Sequence, residues 1–191
     1  MSKLILASSS PRRADLLTQV GLEFQVIPSR FNEDNTLKMP QHKLTVHFAR
    51  SKAEEVAFRV EEGLIIAADT VVVVDGEYLG KPQSVEQARV MLKKLSGGVH
   101  EVTTGLAVLD KKTQIIKTAY STTRVWFRRL RDEEVTAYIQ TGEPMDKAGS
   151  YGIQGRAALF VNKIEGCYFN VVGLPLVELG RILTESGVKI F

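Results

Sequence analysis

The chain has a single cysteine, Cys167, among its 191 residues. One cysteine excludes an internal disulfide and any metal site built from several thiolates. The three histidines, His42, His47 and His100, have no spacing typical of zinc ligands, so no zinc site is expected. No apolar run reaches membrane-spanning length, and the first residues lack the pattern of a signal peptide. We therefore expect a cytoplasmic protein without a membrane partner.

The chain also lacks a large excess of either sign of charge. Its 25 Lys and Arg nearly balance 22 Asp and Glu, for a net charge of +3. This small bias gives no electrostatic argument for a nucleic-acid partner, although it suits an anionic small molecule. The length and ordinary apolar content predict one globular domain over 1–191, with or without two lobes. Strand and helix patterns alternate early, whereas hairpin patterns dominate the middle. This order predicts an α/β fold with a mixed sheet.

Hydrophobic periodicity predicts the elements along the chain. Strands are expected at 4–7, 24–27, 64–75, 99–109, 114–127, 157–164 and 168–172. Helices are expected at 11–20, 44–60, 85–95, 131–141 and 175–186. Asp75-Gly76 is a hairpin-turn signal, and Ser84 is a natural N-cap of the third helix. The residues from 142 to 155 are expected to form a glycine-rich loop.

The stretch 8–13, Ser-Ser-Ser-Pro-Arg-Arg, follows the first strand. Ser10 is a natural N-cap and Pro11 a natural first helical residue. The start of a helix carries positive partial charge, yet Arg12 and Arg13 lie in its first turn. The backbone N–H groups, three hydroxyls and two guanidinium groups would be balanced by an anion, and phosphate suits them best. The alternative is a capped surface helix with two solvated arginines.

Asp69 places a carboxylate within an apolar stretch that otherwise predicts a buried strand. A buried charge costs free energy unless it finds a cation or its pKa changes. This favours a metal ligand or a general base at a strand break beside a cleft. The alternative is an aspartate that pairs with a lysine or caps a bulge. Glu33 would be solvated by itself, but beside Asp69 it would complete an oxygen-ligand site for Mg²⁺.

Three further residues are candidates for ligand contact. Lys52 lies on a predicted helix, where a lysine is usually solvated. Lys81 is more informative, because a glycine and a proline fix its backbone on both sides. The three glycines within 146–155 permit close approach to a ligand, and Gln154 offers an amide donor and acceptor for the edge of a base. Alternatively, these glycines serve only the turns of an irregular connection.

Together these stretches resemble the Maf family, the septum-formation-inhibitor-like nucleoside triphosphate pyrophosphatases. The matching motifs follow the family's order and lie at 4–13, 68–72, 79–82, 95–97 with His100, 143–149, 151–155 and 170–175. The resemblance implies an elongated α/β fold with a strongly bent mixed sheet flanked by helices and two lobes around a central cleft. It also implies hydrolysis of a nucleoside triphosphate to the monophosphate and diphosphate with a divalent metal cation, Mg²⁺ or Mn²⁺.

The resemblance extends to individual residues. Asp69 followed by Thr70, together with Gln154, is similar to the branch that acts on dTTP and UTP, whereas a sister branch prefers 7-methylguanosine triphosphate. Asp69 would then be the proton acceptor. Arg12, Thr70 and Gln154 would select the base, and modified pyrimidine nucleotides are expected among the substrates.

On this basis the sequence predicts metal-assisted attack of water on the α-phosphorus. Asp69 and Glu33 would hold the metal ion, and Asp69 would orient or deprotonate the water. The other expected substrate contacts are Ser8, Ser9, Arg12 and Arg13 to the triphosphate, and Lys52 and Lys81 to the leaving diphosphate.

Two other functions are weighed against hydrolysis. A nucleic-acid-binding module would need a basic stripe interleaved with aromatics, and only 124–129 has this pattern. Because that segment alternates like a strand, a solvated basic face is favoured, and no stable nucleic-acid partner is expected. The second alternative is a non-catalytic protein that regulates division by contacts, since the family name records that association. A homodimer is left open, as is the choice between nucleotide house-cleaning and division arrest.

Overall fold

The computed structural model describes residues 3–34 and 37–191. Within these ranges the strands are Leu4–Leu6 (β1), Phe24–Val26 (β2), Leu64–Val74 (β3), Glu77–Leu79 (β4), Val99–Asp110 (β5), Ile116–Phe127 (β6) and Val161–Glu165 (β7). The α-helices are Pro11–Gln19 (α1), Gln41–Ala57 (α2), Val85–Leu95 (α3), Asp132–Gln140 (α4), Tyr168–Val172 (α5) and Leu176–Glu185 (α6). Short 3₁₀ segments occupy Glu143–Asp146, Ala148–Ser150 and Arg156–Phe160.

The strands form one mixed sheet. Its order is β2-β1-β3-β5-β6-β7, and β4 pairs with β3 outside this path. β1 is parallel to both neighbours, so that Leu4 lies opposite Phe24 in β2 and opposite Leu64 in β3. The β3–β4 and β6–β7 pairs are antiparallel. The mixed α/β fold predicted from the element order is therefore confirmed.

The chain forms two compact units. The first comprises the described residues up to Asp69, together with Thr104–Ser121 and Gly173–Phe191. The second comprises Thr70–Thr103 and Thr122–Val172. Strands β3, β5 and β6 contribute residues to both. In the part of the chain that the structure describes, no helix is both long and apolar enough to cross a membrane.

In the first unit, α2 packs against β1, β3 and β5. The buried members of this core are Ile5, Ala7, Ala49, Ala53, Val56, Ala57, Ile65, Ala67, Ala107 and Leu109. Alanines at 49, 53 and 57 recur every four residues and therefore line one face of α2. Gly105 in β5 continues this pattern of small residues, because a Cβ there would collide with the backbone of Thr45 and Val46. The small side chains let the helix lie close to the sheet.

In the second unit, the core contains an aromatic cluster of Phe127, Tyr138, Tyr151, Phe160 and His100. The ring centroids of Phe127 and Tyr151 are 4.8 Å apart, and those of Tyr138 and Phe160 are 5.0 Å apart. Both pairs meet edge to face, the arrangement favoured by the ring quadrupoles. The cluster includes Tyr151 and so holds the beginning of the segment that carries Gln154.

The predicted strand at 168–172 is wrong, because these residues form α5. The aromatic and β-branched composition favours a strand, but buried side-chain contacts decide otherwise. Asn170 Nδ2 donates to the Val102 carbonyl and to Thr123 Oγ1, each at 2.9 Å. Thr123 Oγ1 also accepts from the Cys167 N–H at 3.0 Å. α5 is thus attached to β5 and β6 through side chains.

The predicted strand at 157–164 is correct only in its second half. The structure has a 3₁₀ segment over Arg156–Phe160, and the strand begins at Val161. The Asp75-Gly76 turn is confirmed, since both residues have positive φ and join β3 to β4. Ser84 is also confirmed as an N-cap, because its hydroxyl accepts from the Gln87 N–H.

Candidate functional site

The first part of the candidate site lies where β1 ends and α1 begins. Pro11 is the first residue of α1, as predicted. Ser10 occupies the N-cap position with an extended backbone, as predicted, although among the described residues its side chain makes no capping bond. The hydroxyl of Ser8 bonds to two groups of this turn. It accepts from the Ser10 N–H and from Arg13 Nη1, both at 3.2 Å.

Arg13 is held in this turn from two sides. Its Nη1 donates to the Ser8 hydroxyl, and its Nε donates to the Gly173 carbonyl at 2.8 Å. Burial of the guanidinium lowers the pKa of Arg13 from 12.5, while the charge of Asp69 acts in the opposite direction. Because a guanidinium keeps its proton in proteins, Arg13 remains a fixed positive charge. The alternative of a solvated surface arginine does not hold for this residue.

The neighbouring residues of this turn differ in exposure. Ser8 is buried, Ser9 is exposed and Arg12 is half-buried. The positive charge of Arg12 contributes to the lowered pKa of Arg13. The two arginines therefore lie close enough to repel each other, and a bound anion would relieve that repulsion.

Lys52 joins the two acidic candidates. Its Nζ lies 2.6 Å from Asp69 Oδ1 and 2.6 Å from Glu33 Oε1. The two carboxylate oxygens are therefore no more than twice that distance apart. Asp69 is 6% exposed, and the Lys52 side chain is 13% exposed. The structure thus brings Glu33 and Asp69 together, with α2 supplying the cation between them.

The sequence predicted a strand break at Asp69, and this prediction is wrong. β3 runs without interruption from Leu64 to Val74. The strand accommodates the carboxylate because Lys52 reaches it from α2. Burial raises the pKa of Asp69 above 3.8; the Lys52 charge opposes this shift, and the Glu33 charge adds to it. A carboxylate with a raised pKa is a better proton acceptor than an ordinary aspartate.

The chemistry of Glu33 and Asp69 fits a hard divalent cation. Mg²⁺ takes oxygen ligands and is commonly held by one or two carboxylates, with substrate phosphates and water completing the shell. Here two carboxylate oxygens already converge on one positive group, the Lys52 ammonium. Over residues 3–34 and 37–191, no group of three or more His, Cys, Asp or Glu is placed to hold a metal. Ligands beyond these two carboxylates would therefore come from the substrate or from water.

The other candidates belong to the second unit. Thr70 follows Asp69 in β3, so its side chain leaves the opposite face of that strand. Lys81 is exposed and comes directly after Gly80, whose carbonyl accepts from the Gly149 N–H at 3.1 Å. That bond attaches the Lys81 turn to the glycine-rich stretch. Gln154 is exposed within the same stretch.

Sequence reasoning missed Tyr138 and Glu143, which hold the segment that carries Gln154. Tyr138 Oη donates to Glu143 Oε1 at 2.9 Å and accepts from the Gly152 N–H at 3.2 Å. Glu143 Oε2 accepts from the Arg156 N–H at 3.1 Å. Burial and the Glu143 bond raise the pKa of Tyr138, so its hydroxyl remains a donor. The residue pattern held no signal for these partners, which lie up to fourteen positions apart.

The glycines of this stretch make close contacts within their own unit. A Cβ on Gly149 would lie 3.1 Å from the Val72 side chain, and one on Gly155 would collide with the Glu143 carboxylate. A Cβ on Gly152 would meet the Lys147 side chain at 2.6 Å. The positive φ of 69° at Gly149 favours glycine there, whereas Gly152 and Gly155 lie against the ends of the Lys147 and Glu143 side chains.

A family model described as "Maf-like protein" matches residues 3–186. The dTTP/UTP pyrophosphatase of Carboxydothermus hydrogenoformans is 51% identical over 185 residues, covering 97% of this chain and 99% of the relative. The dTTP/UTP pyrophosphatase of Ruminiclostridium cellulolyticum is 49% identical, covering 100% and 99%. That of Methanosarcina barkeri is 47% identical, covering 100% and 98%. A dITP/XTP pyrophosphatase structure from Mycobacterium abscessus aligns with 73% of this chain and 95% of its own at 13% identity and a TM-score of 0.42.

Proposed function

The chain belongs to the Maf-like protein family, and from that premise we propose that it hydrolyses dTTP and UTP to the nucleoside monophosphate and diphosphate. Relatives that match it almost end to end at 47–51% identity bear the name dTTP/UTP pyrophosphatase. The observation that carries the proposal is the grouping of Arg13, Lys52, Glu33 and Asp69 in one electrostatic cluster of the first unit.

Binding of the triphosphate is assigned to the turn before α1. Ser8, Ser9, Arg12 and Arg13 would contact its phosphate oxygens, with the N–H groups at the helix start adding positive partial charge. Arg13 is already oriented by Ser8 and by the Gly173 carbonyl. A side chain fixed in advance loses less freedom when the substrate binds, which favours affinity.

The chemical step is assigned to Asp69. Water attacks the α-phosphorus, its proton passes to the Asp69 carboxylate, and the bond from phosphorus to the bridging oxygen breaks to release diphosphate. Lys52 and Lys81 would offset the negative charge that develops on the leaving group. A divalent cation, Mg²⁺ or Mn²⁺, held by Glu33 and Asp69 would neutralise phosphate charge in the transition state.

Selection of the base is assigned to Arg12, Thr70 and Gln154. Gln154 offers one donor and one acceptor, which match the hydrogen-bonding edge of uracil or thymine. An amide held in the orientation that suits uracil or thymine would be mismatched by the reversed donor and acceptor of cytosine or adenine, which would therefore bind less well in the transition state. We also propose as substrates modified pyrimidine nucleotides that keep this edge. The proposed role of the protein is then to remove such nucleotides from the cytoplasm, a house-cleaning function.

The proposal is tested by measuring diphosphate release from UTP, dTTP, CTP, ATP and GTP with Mg²⁺. We expect hydrolysis of UTP and dTTP to exceed that of the other three. Asp69→Asn keeps the shape but removes the proton acceptor, and should lower kcat at least ~100-fold while the circular dichroism spectrum is kept. Asp15→Asn, at an exposed acid on α1, is the matched control. Near-parent UTP hydrolysis by Asp69→Asn would refute the role of Asp69, and hydrolysis of none of the five would refute the activity.

A further inference from the structure

Glu55 on α2 holds the beginning of the segment that leads to Glu33. Its Oε2 accepts from Ser29 Oγ at 3.0 Å and from the Arg30 N–H at 2.9 Å. Ser29 Oγ in turn accepts from the Phe31 N–H at 3.1 Å. The segment has neither helix nor strand at these positions. The bonds to Glu55 therefore help to fix its conformation there, together with the contact of the Phe31 ring with Phe48.

Arg59 fixes Glu55 by a two-point contact. Its Nε lies 2.8 Å from Glu55 Oε1, and its Nη2 donates to Glu55 Oε2 at 2.9 Å. Nη2 also donates to the Pro28 carbonyl at 2.7 Å. Partial burial works to raise the pKa of Glu55, but the bonds from Arg59, Arg30 and Ser29 outweigh it and lower the pKa below 4.5. We call the ionised pair of Glu55 and Arg59 the clasp.

The clasp and the candidate cation site share one side of α2. Lys52, Glu55 and Arg59 are spaced i, i+3 and i+7, which places them along one face, with Arg59 just past the helix end. Lys52 contacts Glu33, while Glu55 contacts Arg30. Only two residues separate Arg30 from Glu33. α2 therefore holds the segment at two nearby points, Arg30 and Glu33.

We propose that the clasp positions Glu33 beside Asp69 and thereby sets the affinity of the site for a divalent cation. The inference rests on the proposed function, because it assigns positioning residues to that same site. Glu33 has a half-exposed side chain, and Lys52 is its described partner in the site. Without the clasp, Glu33 spends a smaller fraction of time in the binding geometry. The apparent affinity for the cation decreases in proportion to that fraction. The rate of the chemical step in the loaded enzyme is unchanged.

A titration of the full chain with Mn²⁺, without nucleotide, tests the clasp directly. Electron paramagnetic resonance measures the free Mn²⁺ at each point of the titration. We expect Glu55→Ala to raise the apparent Kd for Mn²⁺ about tenfold or more, as loss of a supporting group around a metal ligand typically does. Arg59→Ala should act in the same direction. Glu54→Ala is the matched control, because Glu54 lies on the same helix and pairs with Arg50. Its Kd should stay within about twofold of the parent.

Kinetics supply the second readout. The Mg²⁺ concentration for half-maximal diphosphate release should rise in Glu55→Ala by the same factor as the Kd, with kcat at saturating Mg²⁺ unchanged. In a Glu33→Ala background, Glu55→Ala should have no further effect on Mn²⁺ binding, because the clasp acts through Glu33. If Glu55→Ala fails to fold, Glu55→Gln keeps an oxygen for the Arg30 N–H and should give a smaller rise in the same direction.

Any one of four other results would overturn the proposal that the clasp positions Glu33. These results are a Kd for Glu55→Ala equal to that of Glu54→Ala, an effect on kcat alone, an effect that persists without Glu33, or no Mn²⁺ binding by the parent chain. Failure of the proposed function looks different. A parent chain that binds Mn²⁺ in a clasp-dependent way but releases no diphosphate from any nucleotide would keep the clasp and refute the hydrolase.

Discussion

The Lys52 charge opposes the rise that burial causes in the pKa of Asp69. Burial alone would favour the neutral acid, and the nearby negative charge of Glu33 acts in the same direction. The Lys52 ammonium lies 2.6 Å from Asp69 Oδ1 and is itself largely enclosed. An opposite charge at that distance, shielded from water, stabilises the carboxylate far more than an exposed pair would.

Removing that charge should move the acidic limb of the pH–rate profile. In Lys52→Met the pKa of Asp69 rises further, so the carboxylate that we propose as the proton acceptor forms only at higher pH. We expect the acidic limb of kcat/KM for UTP to shift upward by about 1 pH unit or more, along with a lower maximum. The measurement is kcat/KM between pH 5 and 9 at constant ionic strength.

Lys43→Met on the exposed side of α2 is the control for that profile and should leave the limb in place. An unmoved limb in Lys52→Met would mean that a group other than Asp69 governs the acidic side. A shift of equal size in both variants would instead indicate a general effect of net charge.

The residues that sequence reasoning could find are those in local conflict with their surroundings. Asp69 within an apolar stretch and Arg13 in the first turn of a helix both violate a local rule, and both lie in the cluster. Glu55 and Tyr138 violate none, because their roles depend on partners brought near by the fold. Such supporting residues become visible only when the tertiary contacts are known.

At the scale of elements, the contact between α2 and β5 depends on small residues. Ala49 and Ala53 of α2 are fully buried, and Gly105 of β5 lies against the α2 backbone at Thr45 and Val46. Interiors are close-packed, so one added methyl group here must displace the helix. Because α2 also carries Lys52, its position bears on the candidate site.

The same substitution should have opposite effects in two elements. Gly105→Ala forces its Cβ into the α2 backbone and should lower the free energy of unfolding by about 1–3 kcal/mol. Gly180→Ala, inside α6, meets only Ile190 Cδ1 at 3.6 Å and should raise it by about 0.5–1 kcal/mol, since alanine favours helix. Urea unfolding of the two variants beside the parent measures both changes. A stability gain in Gly105→Ala would show that α2 can move away from β5 at no cost.

Elements with a complete local signal were predictable from the sequence, and those fixed by distant contacts were not. α3 has an N-cap at Ser84, an acidic first turn and two lysines in its last turn, and its predicted bounds agree with the structure. α5 has a strand-like composition, and the buried side chain of Asn170 overrides it. The hairpin at Asp75 needed no more than two turn residues.

At the scale of the molecule, the mixed character of the sheet followed from the order of elements, but the strand order did not. β1 pairs with β2 and with β3, whose first residue is sixty positions away. Period-two patterns specify which face of a strand is buried but not its neighbour. The division of β3 between the two units after Asp69 was not predicted either, since the sequence indicated a strand break at that position instead.

His100 makes the stability of the molecule depend on pH. Its Nε2 is 2.8 Å from the Tyr151 hydroxyl, and its buried Nδ1 has no partner among the described residues. Burial lowers the pKa of His100 from 6.5 to about 4. Between these two values the unfolded chain binds a proton that the folded chain does not. Stability from this group is therefore complete above pH 6.5 and decreases as the pH falls toward 4.

Replacing His100 should make the molecule less sensitive to acid. The pKa difference implies that His100 accounts for about 2 kcal/mol of the stability lost between pH 7 and pH 5. In His100→Gln, which cannot titrate, the drop in the free energy of unfolding over that interval should be smaller by about this amount. Urea unfolding at both pH values measures it, and His47→Gln, at an exposed position on α2, should retain the parent's drop. Equal drops in His100→Gln and the parent would mean that His100 binds its proton over the same pH range in the folded chain as in the unfolded chain, which its buried position against Phe127 and Tyr151 argues against.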